Sequence, residues 1–371
     1  MTRPMTRRLK RTVLIMAGGT GGHVFPALAA ARVLRERGFE PVWLGTRKGL
    51  EAKLVPPAQI EIEWISMSGL RGKGAATLLL APFKIVQSIW QSLQVMRRRN
   101  PAVVLGCGGF VAGPGGVAAW LTRRPLIIHE QNAVAGMTNR LLAKLARRVL
   151  EAFPKSFPSA VHAEQVGNPV RREIAALAPP EQRFADRQGP IRLLIIGGSQ
   201  GAMKLNATVP AALAIIDAAS RPVVIHQAGE RHLAMVRETY EKHGVKADIR
   251  AFISDMAEAY GWADVVVCRS GAMTVSELAA AGLPAIFVPF AAAVDDHQTL
   301  NAKFLVDAQA GISIAERDLT PELLAQELKK LLSGGREQLK AMAMRARSVA
   351  ITDADVRLAD ACVAAAGGVA C

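Results

Sequence analysis

Short apolar runs rich in valine and isoleucine alternate along the chain with amphipathic stretches of helical length. Compact apolar runs bounded by turn residues read as strands and i, i+3, i+4 patterns read as helices, so the alternation predicts βαβ units around parallel sheets. In the first half the predicted strands are TVLIMA, EPVWLG, EIEWI, AVVLG, PLIIHE, RVLEAF and HAEQVG. A polar, proline-bearing stretch, GNPVRREIAALAPPEQRFADRQGP, interrupts the pattern, which restarts at IRLLIIGGSQGA and continues through PVVIHQ, DIRAFI, DVVVCR and PAIFVP. The predicted fold class is therefore α/β, with two doubly wound, Rossmann-like domains facing a cleft. Residues 1–11 form a basic extension, 12–167 the first domain, 168–190 a linker, 191–351 the second domain, and 352–371 a final helix packing back on the first. Ligands in open α/β sheets bind beyond the carboxyl ends of the strands, which makes that cleft the expected site.

One amphipathic segment, LLLAPFKIVQSIWQSLQVMRRRN, sets Ile85, Val86, Ile89, Trp90, Leu93 and Met96 at helical spacing between Lys84 and the run Arg97, Arg98, Arg99. Core packing is the expectation for that face. In a basic domain, Phe83 and Trp90 beside arginines also suit the headgroup region of a bilayer.

Composition narrows the class. A chain of 371 residues, 50% hydrophobic, can bury the cores of two or three globular domains. Its mean hydropathy is positive, +0.20, yet no run reaches the roughly 20 apolar residues of a spanning helix. The opening MTRPMTRRLKR is basic, but only TVLIMA follows before the glycines, too little for a signal-peptide core, so a cytosolic chain is expected. Cys107, Cys268, Cys362 and Cys371 show no metal-ligand spacing, and Cys107 and Cys268 are expected to be packed thiols. The net charge of +15 is one-sided: the first 167 residues carry the whole excess and contain no aspartate, while the remainder is near balance. Such a half attracts nucleic acid or an anionic membrane surface. The aromatic interleaving of single-strand binders is missing, so no nucleic-acid partner is expected.

The candidate chemistry sits where predicted strands turn into helices. MAGGTGGHVFP and GGSQGAMK match neither G-x-G-x-x-G nor the P-loop pattern, which excludes the standard dinucleotide and P-loop readings. Glycines at such a turn let backbone amides approach a ligand, and the helix start favours an anion; tight packing alone also explains a turn of this kind. His23 in the first helical turn has the pKa range of a general base for a hydroxyl. At the end of another strand stand His129, Glu130, Gln131 and Asn132. In VVVCRSGAMTVSELAAAGLP a strand ends at Cys268 and a helix is predicted from Met273 or Thr274. Arg269, the hydroxyls, free amides and the helix dipole together suit a diphosphate, and Glu277 suits ribose hydroxyls or, alternatively, simply the helix start. Asp295, Asp296, His297 and Gln298 form a cluster suited to sugar hydroxyls. The one Asp-x-Asp triplet, Asp353 to Asp355, precedes a helix and reads as capping, not as a metal site.

Taken in order, AGGTGGHVFPALA, GLRGKG, GCGGFVAGPGG, HEQNAVAGMTNRLLA, VGNPVR, GGSQGA, FISDMAEAY, CRSGAMTVSELAAAGLPAIFVPF and DDHQTLNA resemble the MurG family of bacterial cell-wall glycosyltransferases, from about residue 12 to the last helix. The resemblance implies a two-domain GT-B fold and transfer of N-acetylglucosamine (GlcNAc) from UDP-GlcNAc to the C4 hydroxyl of undecaprenyl-diphospho-MurNAc-pentapeptide. Lipid I becomes lipid II, with inversion, no cofactor and no metal ion. It further implies a peripheral place on the cytoplasmic face of the inner membrane and names no protein partner. Carried over by position, Arg171 and Ser199 meet the diphosphate region, the backbone of Ile253 pairs with uracil, and Ala272, Met273, Thr274, Val275, Ser276 and Glu277 line diphosphate and ribose. Gln298 holds the sugar, and Thr20, Gly21, Gly22 and Asn132 approach the donor from the first domain. The general base is His23, with Glu130 as its alternative or its orienting partner. Membrane contacts are expected at Phe83, Trp90 and Trp120 with Lys84, Arg97, Arg98, Arg99 and Arg123. Two other classes compete: a non-hydrolysing UDP-GlcNAc 2-epimerase, disfavoured by the aspartate-free first half, and a non-enzymatic basic membrane-binding protein.

Overall fold

The apolar run Thr12–Met16 forms strand β1, buried from Val13 to Met16, and the chain builds outward from it. A computed structural model describes residues 11–67, 81–198, 201–291 and 296–367, and the chain divides into two units, breaking after Pro169 and again after Thr352. In unit 1, β1 leads to α1 (Gly21–Glu36), β2 (Glu40–Gly45), α2 (Glu51–Leu54), β3 (Glu61–Trp64), α3 (Ala81–Arg99), β4 (Val103–Gly106) and α4 (Ala112–Leu121). Then come β5 (Leu126–Glu130), α5 (Met137–Leu142), β6 (Arg148–Glu151) and β7 (Glu164–Gln165). The seven strands are parallel in the order β3-β2-β1-β4-β5-β6-β7, with Ile15 opposite both Trp43 and Leu105.

Unit 2 contains α6 (Arg172–Ala175), α7 (Pro180–Ala185), β8 (Arg192–Ile196), α8 (Met203–Ala214), β9 (Val223–Gln227), α9 (Leu233–Lys242), β10 (Asp248–Arg250) and α10 (Met256–Trp262). It continues with β11 (Val265–Cys268), α11 (Ala272–Ala281), β12 (Ala285–Phe287), α12 (His297–Asp307), β13 (Gly311–Ser313), α13 (Pro321–Ser333) and α14 (Gly335–Ser348). Six parallel strands run β10-β9-β8-β11-β12-β13. Each sheet thus reverses its strand order once, between β1 and β4 and between β8 and β11. Loops diverge there and leave room for a ligand.

Four findings depart from the sequence-based expectations. The stretch expected as a linker, 168–190, carries α6 and α7 and is stapled to unit 2 by two arginines. Arg183 donates to the carbonyls of Tyr260 and Gly282, and Arg187 to those of Gly261 and Ala263 and to the fully buried carboxylate of Asp264. Arginine at helix C-termini satisfies carbonyls the helix leaves open, which composition alone does not reveal. Strand β13 was not predicted, because GIS is too short to give an apolar run.

The third departure concerns α3. Its buried face carries Ser88 and Ser92 with Val95 and Met96, whereas Val86 and Trp90 are exposed, as is Phe83. The serines satisfy themselves on carbonyls: Ser88 Oγ donates to Lys84 and Ser66, and Ser92 Oγ to Ser88. Small hydroxyl side chains let the helix lie close to the segment that follows β3, so Val86 and Trp90 of the apolar stripe point outward while Met96 is buried and Leu93 packs against the core. Arg98 and Arg99 are occupied by Glu63, and Arg99 also by Glu61.

The fourth departure lies at the start of the last helix, α15 (Ala354–Ala365), which belongs to unit 1, its Leu358, Ala359 and Cys362 entering the core of Val13, Val24 and Ala27. Asp353 makes no side-chain capping bond and instead accepts from Arg357 Nε at 2.8 Å, while Asp355 pairs with Arg32 of α1 at 3.5 Å. These aspartates tie the helix down rather than cap it. Cys107 and Cys268 are buried thiols, as expected.

Asp264 is fully buried in unit 2 and meets Arg187, Arg336 and the Arg192 amide. Asp264→Ala leaves the buried Arg187 charge uncompensated and is expected to cost about 3–5 kcal/mol. Urea unfolding checks this, and a loss below about 1 kcal/mol would contradict the role given to the pair.

Candidate active site

Within unit 1 the glycine-rich turn after β1 lies beside the turn after β4. At Gly109, with φ +79°, an added Cβ would stand 2.2 Å from the Gly18 carbonyl oxygen, so only glycine lets the two loops meet. Beneath them sits a carboxylate that the sequence reading overlooked. Glu51 is fully buried and accepts from the amide of Gly19 at 3.2 Å and from the amide and hydroxyl of Thr46, both at 2.9 Å. A Cβ at position 49 would lie 2.1 Å from its Oε2, which is why glycine stands there. The only signal in the sequence was an acid one turn after a strand and glycine.

Above this support, α1 opens with Thr20 as its extended N-cap residue and His23 in its first turn. The His23 ring is half-buried, and its Nδ1 lies 2.7 Å from Gln131 Oε1 at the end of β5. Gln131 Nε2 in turn lies 3.0 Å from His129 Nδ1, and His129 Nε2 lies 2.9 Å from the Gly167 carbonyl. His129 is fully buried, and loss of solvation pushes its pKa down to about 4.

Glu130 is disposed differently. It is 2% exposed, and its Oε1 accepts from the amide and side chain of Asn132 at 3.0 and 3.2 Å while its Oε2 accepts from the Gly136 amide and Asn139 Nδ2 at 3.1 and 2.8 Å. Four N–H donors occupy the carboxylate, which makes it the organiser of the loop from Asn132 to Asn139. Its engagement leaves His23 as the group of the pair with an accessible ring.

Unit 2 presents a second cluster at the end of β11. The chain turns through Arg269, Ser270 and Gly271, and α11 begins at Ala272, slightly earlier than expected, with Gly271 as an N-cap residue that brings no side chain of its own. Glu277 is 7% exposed and receives Arg171 Nε at 3.0 Å and Nη2 at 3.1 Å, with the Tyr260 hydroxyl donating at 3.3 Å. Burial raises its pKa above the ordinary carboxylate value despite the arginine, and burial also raises that of Tyr260. Tyr260 closes the FISDMAEAY motif, but nothing local in the sequence ties it to Glu277. Arg269, expected at a diphosphate, is otherwise engaged: it donates to the carbonyls of Val288 and Pro289, pairs with Glu316 and lies over the Phe290 ring.

Gln298, on the first turn of α12, accepts from the Phe290 amide at 3.0 Å, and Ile253 is buried in the loop between β10 and α10. Ser199, Asp295 and the GLRGKG motif lie outside the described residues. A cavity of about 820 Å³ beside β10, lined by Arg221, Lys246 and Trp262, shares none of these side chains and lies away from the chemistry.

Two models of glycosyltransferase family 28 match the chain: the N-terminal domain over residues 13–151 and the C-terminal domain over residues 192–358. A relative from Alkalilimnicola ehrlichii is 56% identical over 95% of this chain and 98% of its own. One from Marinobacter nauticus is 52% identical over 98% of this chain and all of its own. Both are named UDP-N-acetylglucosamine--N-acetylmuramyl-(pentapeptide) pyrophosphoryl-undecaprenol N-acetylglucosamine transferase. Among solved structures, MurG of Acinetobacter baumannii is 40% identical with a TM-score of 0.85, covering 95% of this chain and 99% of its own. With half or more of its residues shared with such relatives over nearly its whole length, and with two doubly wound parallel-sheet units, the chain belongs to the MurG family of GT-B glycosyltransferases.

Proposed function

We infer that this enzyme transfers GlcNAc from UDP-GlcNAc to the C4 hydroxyl of the MurNAc unit of lipid I, giving lipid II and UDP with inversion. The activity named for the relatives supports the reaction. The observation that carries the chemistry is the half-buried imidazole of His23, held by Gln131 at 2.7 Å, while the other candidate base, Glu130, has both carboxylate oxygens occupied by N–H donors. His23 takes the acceptor O4 proton as O4 bonds to the sugar C1. The bond from C1 to the β-phosphate oxygen breaks, and UDP departs with the electron pair.

Unit 2 is the donor half of this reading. The amides at the start of α11, from Ala272 to Thr274, suit the departing diphosphate, with Val275 and Ser276 extending that wall. Arg171 keeps N–H donors beyond its pair with Glu277, and Glu277 keeps lone pairs for ribose hydroxyls. Ser199 on the diphosphate, the Ile253 backbone on uracil and Gln298 on the sugar complete the grip. Thr20, Gly21, Gly22 and Asn132 contribute from unit 1. No metal has a role in this scheme.

The enzyme also rests on the cytoplasmic membrane surface through unit 1. Among the described residues no helix is long and apolar enough to cross a membrane. Phe83, Val86 and Trp90 of α3 and Trp120 and Leu121 of α4, two helices in contact, are all more than half exposed. Lys84, Arg97 and Arg123 are the cations set against anionic headgroups, since Arg98 and Arg99 are tied to glutamates.

Transfer of radiolabelled GlcNAc to a lipid I analogue tests the whole reading. Product is expected at an undiminished rate in EDTA, and His23→Ala should lower kcat by about a hundredfold or more with UDP affinity kept. Appearance of UDP-ManNAc from UDP-GlcNAc alone would point to epimerase chemistry instead.

Donor affinity should follow the charge of Glu277. Because burial raises its pKa, the ionised form is lost at a higher pH than for an ordinary glutamate as the solution is acidified, and UDP-GlcNAc binding should weaken over that window. Glu277→Gln is expected to bind about tenfold more weakly at neutral pH, near 1.4 kcal/mol, and to lose the acid limb. Calorimetry showing unchanged affinity would reduce Glu277 to a scaffold residue. For the membrane face, co-sedimentation with anionic vesicles should fall about tenfold or more in a Phe83→Ser, Trp90→Ser double variant, and equal binding would remove α3 from that role.

A further inference from the structure

The hydrogen bonds running from Gly167 to His23 leave one consistent arrangement of protons. A backbone carbonyl only accepts, so His129 Nε2, 2.9 Å from Gly167 O, carries its proton. His129 is fully buried, and desolvation lowers its pKa to about 4, with Glu130 favouring the charged ring and His23 opposing it. The ring is therefore neutral and its Nδ1 is bare. Gln131 Nε2 lies 3.0 Å from that nitrogen and 3.1 Å from the His129 carbonyl oxygen. Both are acceptors, so the amide nitrogen belongs there, and the flipped amide would set oxygen against two lone pairs. Gln131 Oε1 then faces His23 Nδ1 at 2.7 Å, and that nitrogen must donate.

The Gln131 backbone and side chain have no slack. The residue is 1% exposed, Asn168 Nδ2 donates to its carbonyl at 2.9 Å, and Asn139 Nδ2 holds the His129 carbonyl at 3.1 Å. We propose that Gln131 and His129 are positioning residues that lock His23 as the Nδ1–H tautomer, leaving its Nε2 lone pair as the proton acceptor. This rests on the reading of His23 as the base, for which the opposite tautomer would present a donor to the acceptor hydroxyl. A neutral amide also has a chemical consequence. It steadies the imidazolium formed during transfer, while a carboxylate in its place would hold the ring protonated before substrate arrived.

Nitrogen-15 NMR of histidine-labelled wild-type enzyme at neutral pH reads the tautomers directly and needs no variant. The expected result is His129 protonated at Nε2 and His23 at Nδ1; His23 protonated at Nε2, or an even mixture, overturns the relay. In kinetics, Gln131→Leu should lower kcat about tenfold or more while KM for UDP-GlcNAc stays within about twofold. Gln131→Glu should move the acid limb of kcat/KM upward by about one pH unit, and an unmoved limb would count against the relay. His23→Ala separates the two levels: normal turnover there overturns the base reading itself, whatever the NMR shows of the tautomers.

Discussion

A buried carboxylate must have its lone pairs met, and at the end of β5 that requirement shapes everything around it. Glu130, almost without solvent, draws in the amides of Asn132 and Gly136 and the side chains of Asn132 and Asn139. Closing those bonds folds residues 132 to 139 into one course. Gln131 stands at the start of that course, where its side chain spans from His129 to His23. Glu51 does the same beneath the glycine turns, filling space that Gly45 and Gly49 leave open and holding Gly19 and Thr46. Two buried acids thus set loops that flank the first turn of α1, where His23 stands.

Unit 2 uses the same physics with arginine supplying the donors. Arg171 grips Glu277 by two bonds, and Tyr260 adds a third from the side of α10. Arg183 and Arg187 bind the segment after Pro169 to helix-end carbonyls and Asp264, and Arg269 secures the end of β12. The guanidinium fork satisfies several acceptors at once, which suits crowded strand ends. Of these four arginines, Arg171, about half exposed at its side chain, combines its pairing with access to solvent.

Helix α3 shows how far periodicity carries and where it stops. Its apolar stripe was legible, and the ordinary reading assigns such a stripe to the core. The serines at 88 and 92 split that assignment: they find carbonyl partners at close range on the buried side, so Met96 stays in the core while Val86 and Trp90 turn outward. The apolar side chains left outward on this basic unit are the ones proposed above to meet a lipid surface.

What the sequence determined by itself was the order of most strands and helices, the restart of the βαβ pattern in the second half and the family to which the motifs belong. These are local properties, written in apolar runs and in short contiguous motifs. The three-residue strand β13 and the packed helices within 168–190 escaped because neither makes an apolar run long enough to register. Tertiary structure alone decided the rest. His23 and Gln131 are separated by 108 positions, and Arg171 and Glu277 by 106. Which carboxylate is saturated, which arginine is committed to scaffold and which ring nitrogen keeps its lone pair depend on hydrogen bonds across those separations. A one-dimensional pattern carries no record of them, because donor and acceptor meet only when the sheet has formed.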